Sequence, residues 1–170
     1  ILHLGIPVLG ICYGMQLIND LCCGRVESAE VREYGHTMLC VTDSALFRGV
    51  QPETAVFMNH GDRVSVLPKG FTADASTANC PIAAFSDAAR GLYGVQFHPE
   101  VRHSVEGTTM LRNFVFGVCG CRGGYRAEDT IERMIAEIRR QVGSGKVVAA
   151  LSGGVDSSVA CAIAGRALKP

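Results

Sequence analysis

Neither sign of charge is in excess. The 16 Lys and Arg residues balance the 16 Asp and Glu residues, so no electrostatic case exists for a nucleic-acid partner or an anionic membrane. Nothing reads as a secretory signal peptide or a transmembrane run, and there are no internal repeats or low-complexity tracts. A disulfide framework is also missing. Of the eight cysteines, Cys40 and Cys161 lie inside apolar runs and Cys22 and Cys23 stand side by side, the usage of free thiols in a reducing cytosol. A cytoplasmic protein is therefore expected. Cys119-Gly120-Cys121 has no second ligand pair at zinc-like spacing and is not read as a metal centre. The 170 residues have room for one domain with a sizeable core, or for one domain and part of another.

The stretch with most chemical content is Leu9-Gly10-Ile11-Cys12-Tyr13-Gly14-Met15-Gln16. Ile6–Leu9 has the length and apolarity of a buried strand, and Met15, Leu17, Ile18 and Leu21 recur at helical spacing up to Gly24. Cys12 then sits on a strand-to-helix turn with glycine two residues away on each side, the nucleophile-elbow pattern with Cys in place of Ser. A helix N-terminus directly after the thiol favours the thiolate. Taken alone, the pattern fits a buried structural cysteine about as well.

Further along, Arg32–Gly35 reads as a polar turn leading into an alternating strand over Thr37–Val41, and Asp43-Ser44 as the cap of a short helical turn ending at Gly49. Ala55–Met58 reads as a buried strand delivering Asn59-His60-Gly61-Asp62 at its C-terminal end. Pro68–Gly70 is a turn, and Phe71–Ala75, Ile82–Phe85 and Leu92–Phe97 are short strands, the last running into His98-Pro99-Glu100. A helix is predicted over about 108–118, then a glycine-rich linker over 119–124. Beyond it come an amphipathic helix carrying Ile131, Met134, Ile135, Ile138 and Val142, a strand over Lys146–Leu151, a glycine loop over Ser152–Ser157 and a helix over Val159–Leu168.

His98 and Glu100 complete the first site. Residues two apart in an extended segment point the same way, and Pro99 stiffens the backbone between them, so Glu100 can orient the His98 ring while its other nitrogen faces Cys12. At this point Gly10–Gln16 together with Gln96-Phe97-His98-Pro99-Glu100 resembles the class I (triad) glutamine amidotransferases, over residues 1 to about 124. The resemblance implies a mixed α/β sheet flanked by helices. It also implies that Cys12 attacks the carboxamide of glutamine, His98 is acid and base, Glu100 orients His98, and a glutamyl thioester is cleaved by water. Gln16 is similar to the family's glutamine-binding side chain, and Asn59-His60-Gly61 falls where family backbone groups meet the substrate's amino-acid end. The Tyr13 N–H would be one oxyanion donor, and the second would come from a loop before Ile1. The family commonly has Ser or Thr where Asn59 stands and a second Gly where Cys23 stands. Neither departure touches the triad.

A second site lies in Ser152-Gly153-Gly154-Val155-Asp156-Ser157-Ser158. Strand, glycine loop and helix form a geometry in which backbone N–H groups hold an anion. The Lys of a Walker A loop is missing after these glycines. The stretch resembles instead the pyrophosphate loop of the ATP pyrophosphatases, with Asp156 as a partner for Mg²⁺, since a bare carboxylate would repel phosphate. The expected organisation is an amidotransferase domain over 1–124, lacking its N-terminal part, and the first βα unit of a Rossmann-like pyrophosphatase domain over 125–170. Both ends read as interior positions of a longer protein, so the 170 residues alone are expected to make no aminated nucleotide.

The order of the two motifs resembles the glutamine-hydrolysing ligases that convert XMP to GMP. That resemblance implies glutamine, ATP and XMP as substrates, Mg²⁺, no tightly bound cofactor, and a homodimer at full length. Two other readings remain: a similar fusion with a different acceptor, and a non-catalytic relic. The intact Cys12–His98–Glu100 set argues against the relic.

Overall fold

A computed structural model describes residues 1–124 and 126–168, as two compact units, Ile1–Arg122 and Gly123–Pro170. The first unit is built on a six-stranded mixed sheet: β1 (Val8–Ile11), β2 (Arg25–Val41), β3 (Glu53–Val66), β4 (Thr72–Ser76), β5 (Ala84–Asp87) and β6 (Leu92–Val95). Their order across the sheet is β1-β6-β5-β4-β2-β3. Only β1 and β6 pair in parallel, Ile11 opposite Val95, and every other neighbour is antiparallel. The C-terminal ends of these two parallel strands lie side by side, which is where open α/β sheets place ligands.

Helix α1 (Tyr13–Leu21) covers one face, burying Met15 and Ile18 with Val64 and Phe85. Gly10 makes the approach possible: a Cβ there would stand 2.5 Å from the Gly14 backbone and 2.7 Å from Ile18 Cδ1. A larger cluster holds Leu39, Leu46, Phe47, Val56, Met58, Tyr93, Val95, Phe97 and Met110. Tyr93 meets Phe114 edge-on at 5.9 Å, which ties β6 to the helical segment formed by α2 (Gly107–Arg112) and a π-helical turn over Asn113–Val118. Each fully buried large aliphatic or aromatic side chain contributes about 1.5–3 kcal/mol. The α/β class and the mixed sheet flanked by helices match the expectation.

Local expectations fail at identifiable places. Arg32–Gly35 is not a turn but lies within the 17-residue β2. Register shifts between Ser28 and Glu33, where Ser28 faces Asp62 and Glu33 faces His60, so the residues between are a bulge that absorbs the polar character within a continuous strand. Asn59–Asp62 likewise lies inside β3, not at its end, because β2 pairs with it as far as Val66. Two hydrogen-bonded turns, Phe47 to Ser44 and Val50 to Phe47, replace the helical turn expected before Gly49. Helix α1 ends before Gly24. Cys23 takes the left-handed position (φ 70°), whereas Gly24 is needed because a Cβ would meet Asn19 at 2.4 Å.

In the second unit, α3 (Ala127–Val142) ends at Gly143 in a left-handed conformation (φ 54°). It is tied to α4 (Val155–Leu168) by Arg139 Nε donating to the Ala167 carbonyl at 2.9 Å and by an Arg166–Glu132 ion pair at 2.7 Å. The strand expected over Lys146–Leu151 does not form: the segment pairs with no other strand among the described residues, and Val148 is 98% exposed. Helix α4 starts four residues earlier than predicted, drawing Val155, Asp156, Ser157 and Ser158 into its first turn.

Candidate active site

Cys12 occupies a backbone conformation (φ 52°, ψ −109°) that L-residues rarely adopt. Its N–H donates to the Val95 carbonyl at 2.8 Å, so the elbow is fastened to the end of β6 as β1 gives way to α1. Such local strain persists because the pairing of β1 with β6 and the packing of α1 over-determine it. The thiol donates to the Asn59 carbonyl at 3.7 Å and receives the Gln96 Nε2 hydrogen at 3.6 Å.

Three residues beyond β6, the His98 N–H donates to the Phe57 carbonyl at 3.0 Å, so Cys12 and His98 are both secured to β3, two residues apart. His98 Nδ1 lies 2.7 Å from Glu100 Oε1. A carboxylate only accepts, so Nδ1 carries a proton, and in the neutral ring Nε2 is then the acceptor. Nε2 makes no hydrogen bond among the described residues. Ser104, buried and unforeseen from sequence, braces this segment: its hydroxyl donates to the His98 carbonyl at 2.6 Å and receives the Phe57 N–H at 3.1 Å.

Burial raises the Cys12 thiol above its ordinary pKa, and the Glu100 charge adds to this; the Tyr13 N–H and the Gln96 amide pull the other way but do not win. The Tyr13 N–H at the start of α1 does favour the thiolate, as the sequence suggests, but desolvation outweighs it. Such a thiol needs a base to attack, and His98 Nε2 is a nitrogen that the Glu100 contact leaves open.

Gln16 directs Nε2 to the Asp62 carbonyl at 2.8 Å and to Gln96 Oε1 at 3.0 Å, which leaves its Oε1, an acceptor, for a ligand. Asn59 is exposed beside the thiol, but His60 turns inward, its Nε2 3.0 Å from the Glu33 carboxylate, so only its backbone faces the site. Gly61 lies next to it on β3, and the Tyr13 side chain is 71% exposed.

The family model of the class-I glutamine amidotransferases matches residues 1–118. The chain belongs to this family. A glutamine-hydrolyzing GMP synthase of Geobacillus kaustophilus is 55% identical over 169 residues, and that of Heliobacterium modesticaldum 54%. Each match takes in 99% of this chain and 33% of the relative, so the chain spans about one third of the length of the curated relatives it matches. Among solved structures, a candidate GMP synthase subunit of Thermoplasma acidophilum superposes with a TM-score of 0.65 at 36% identity, covering 75% of this chain and 61% of that one. A glutamine amidotransferase of Thermotoga maritima shares the fold, with a TM-score of 0.61 at 21% identity over 69% of this chain and 64% of its own.

Outside the amidotransferase site, the loop at Ser152–Ser158 is stitched by its own hydroxyls. Ser152 and Ser157 Oγ atoms are 3.0 Å apart, and Ser157 and Ser158 donate to the Gly154 carbonyl at 3.0 and 2.8 Å. Gly153 has φ 83°, so the loop needs glycine there. Asp156 belongs to no group of three or more metal-ligating side chains among the described residues. Its carboxylate is of the kind that holds Mg²⁺ beside nucleotide phosphates, where one or two carboxylates suffice. All eight cysteines are free thiols, and Cys119 and Cys121 belong to no metal-type cluster among the described residues. No helix among the described residues is long and apolar enough to cross a membrane.

Proposed function

We propose that the chain hydrolyses glutamine at Cys12 and that the ammonia aminates a nucleotide, as the glutaminase part of a GMP synthase. The observation carrying the first half is the strained Cys12 elbow beside a His98–Glu100 pair at 2.7 Å. His98 Nε2 takes the thiol proton as Sγ attacks the carboxamide carbon, with the Tyr13 N–H facing the developing oxyanion. The same nitrogen returns the proton to the departing ammonia, leaving a glutamyl thioester. Water, deprotonated by His98, then cleaves the thioester to glutamate and regenerates the thiol. Gln16 Oε1 and the backbone of Asn59, His60 and Gly61 hold the amino-acid end of the substrate.

The second half is supported by the GMP synthase relatives and by the loop at Ser152, Gly153, Gly154, Val155, Asp156, Ser157 and Ser158. In this reading residues 125–170 begin an ATP pyrophosphatase domain. Its loop N–H groups hold the pyrophosphate released when ATP adenylates XMP, Asp156 holds Mg²⁺, and ammonia displaces AMP to give GMP. A cytoplasmic homodimer is the expected assembly of the whole enzyme.

The test replaces Cys12 by Ala in the full-length enzyme. Glutamine-dependent GMP formation and glutamate release should vanish while GMP formation from added ammonia persists. Undiminished glutamate release would reject Cys12 as nucleophile, and loss of both syntheses in a folded variant would reject the division of labour.

A further inference from the structure

Gln96 stands in the His98 motif without a role of its own, yet it is fully buried and touches the sulfur. Its backbone N–H is fixed to the Ala83 carbonyl at 2.8 Å, which anchors the base of the side chain. What remains open is which end of the amide faces Cys12. The wrong end would put a carbonyl oxygen against a developing thiolate.

The surrounding hydrogen bonds choose the end. The Asp62 carbonyl can only accept, so Gln16 must turn its Nε2 towards it, at 2.8 Å. The second hydrogen of that nitrogen meets Gln96 Oε1 at 3.0 Å. Gln96 Nε2 is thereby aimed at Cys12 Sγ, at 3.6 Å. The Asp62 carbonyl is itself held from behind by His60 Nδ1 at 3.0 Å; His60 Nε2 lies 3.0 Å from Glu33, whose other oxygen takes the Thr77 hydroxyl at 2.7 Å. The chain of polarity thus starts at the Asp62 carbonyl and ends on the nucleophile.

We infer that Gln96 is a catalytic residue, donating a hydrogen bond to the Cys12 thiolate, and that Gln16 is the positioning residue that fixes its amide the right way round. The inference rests on the reading of Cys12 as nucleophile. The other groups acting on the thiol are Glu100, itself paired with His98, beyond β6, the Asn59 carbonyl on β3 and the Tyr13 N–H on α1. Of all the groups acting on it, the Tyr13 N–H and the Gln96 amide favour the anion through a hydrogen bond, and only the second can be removed by changing a side chain.

The experiment follows alkylation of Cys12 by iodoacetamide against pH, read by mass spectrometry of the Cys12 peptide in the full chain. Circular dichroism checks the fold. Gln96→Met keeps the size and removes the donor, and should move the midpoint up by about one unit. Gln16→Met leaves Gln96 in place but free to turn, and should move it the same way by less. The glutaminase pH profile should follow both. A folded Gln96→Met protein with the parent midpoint overturns the inference; if that variant does not fold, an unshifted Gln16→Met midpoint does so. Shifted alkylation in a chain whose parent never hydrolyses glutamine would sink the glutaminase reading and leave this one standing.

Discussion

Gly107, the first residue of α2, touches no reacting group, yet Gly107→Ala should cripple glutamine turnover. A Cβ there would lie 2.0 Å from the Pro99 carbonyl oxygen, 2.8 Å from its carbon and 3.0 Å from its Cα. All three are backbone atoms, so no rotamer change relieves the clash. Real Cβ contacts do not fall below 3.0 Å, and the Pro99 peptide must retreat by about 1 Å. Pro99 sits between His98 and Glu100, whose 2.7 Å hydrogen bond depends on that peptide. A misplacement of about 1 Å at a catalytic group costs roughly 10²-fold in rate, and overpacking of this kind costs about 1–3 kcal/mol of stability. Steady-state glutaminase assays should therefore show kcat down about 100-fold with KM changed far less. Alkylation of Cys12, which is held by β1 and α1 and not by the Pro99 peptide, should keep the parent rate. A folded Gly107→Ala protein with kcat within about threefold of the parent would refute the reasoning.

His98→Ala should lower the glutaminase rate by about 10²–10⁴, and Glu100→Ala by less, because water can partly replace an orienter but not a base. A larger deficit in the Glu100 variant would mean that the two roles are misassigned. Burial, and then the Glu33 charge, push the Cys80 thiol up from an ordinary 9.0 to about 12. Between these values the unfolded chain gives up the proton and the folded chain keeps it, so urea-melting stability should fall as pH rises from about 9, by up to about 1.4 kcal/mol per pH unit. A flat profile above pH 9, or alkylation of Cys80 in the folded protein at pH 8, would contradict that burial.

The legible part of the site was the part written in local pattern. Glycines flanking Cys12 announced a bend, and the structure shows both the bend and the need for Gly10, where a Cβ would enter α1. The two-residue spacing of His98 and Glu100 announced their contact. What stayed hidden depends on register. Glu33 and His60 are 27 residues apart and meet only because the bulge in β2 rotates Glu33 into the core; read as a turn, Arg32–Gly35 offered no partner at all. Gln96 was visible as a motif letter, but its contact with Cys12 depends on the parallel pairing of β1 with β6. Apolar character over Lys146–Leu151 suggested a strand, and a strand exists only with a neighbour to pair with.

These contacts put β3 at the centre of the site although it supplies none of the three triad side chains. Its Phe57 carbonyl holds the backbone of the base, its Asn59 carbonyl takes the thiol hydrogen and its Asp62 carbonyl sets the Gln16–Gln96 amide chain. Three acceptors on one strand thus fix the relative positions of groups that arrive from β1, α1 and β6. Burial and the Asn59 carbonyl both favour the protonated thiol, the less reactive form. In the proposed reaction the Gln96 amide and the Tyr13 N–H are already in place for the anion when the proton leaves, so stabilising it requires no rearrangement of the strand that organises them.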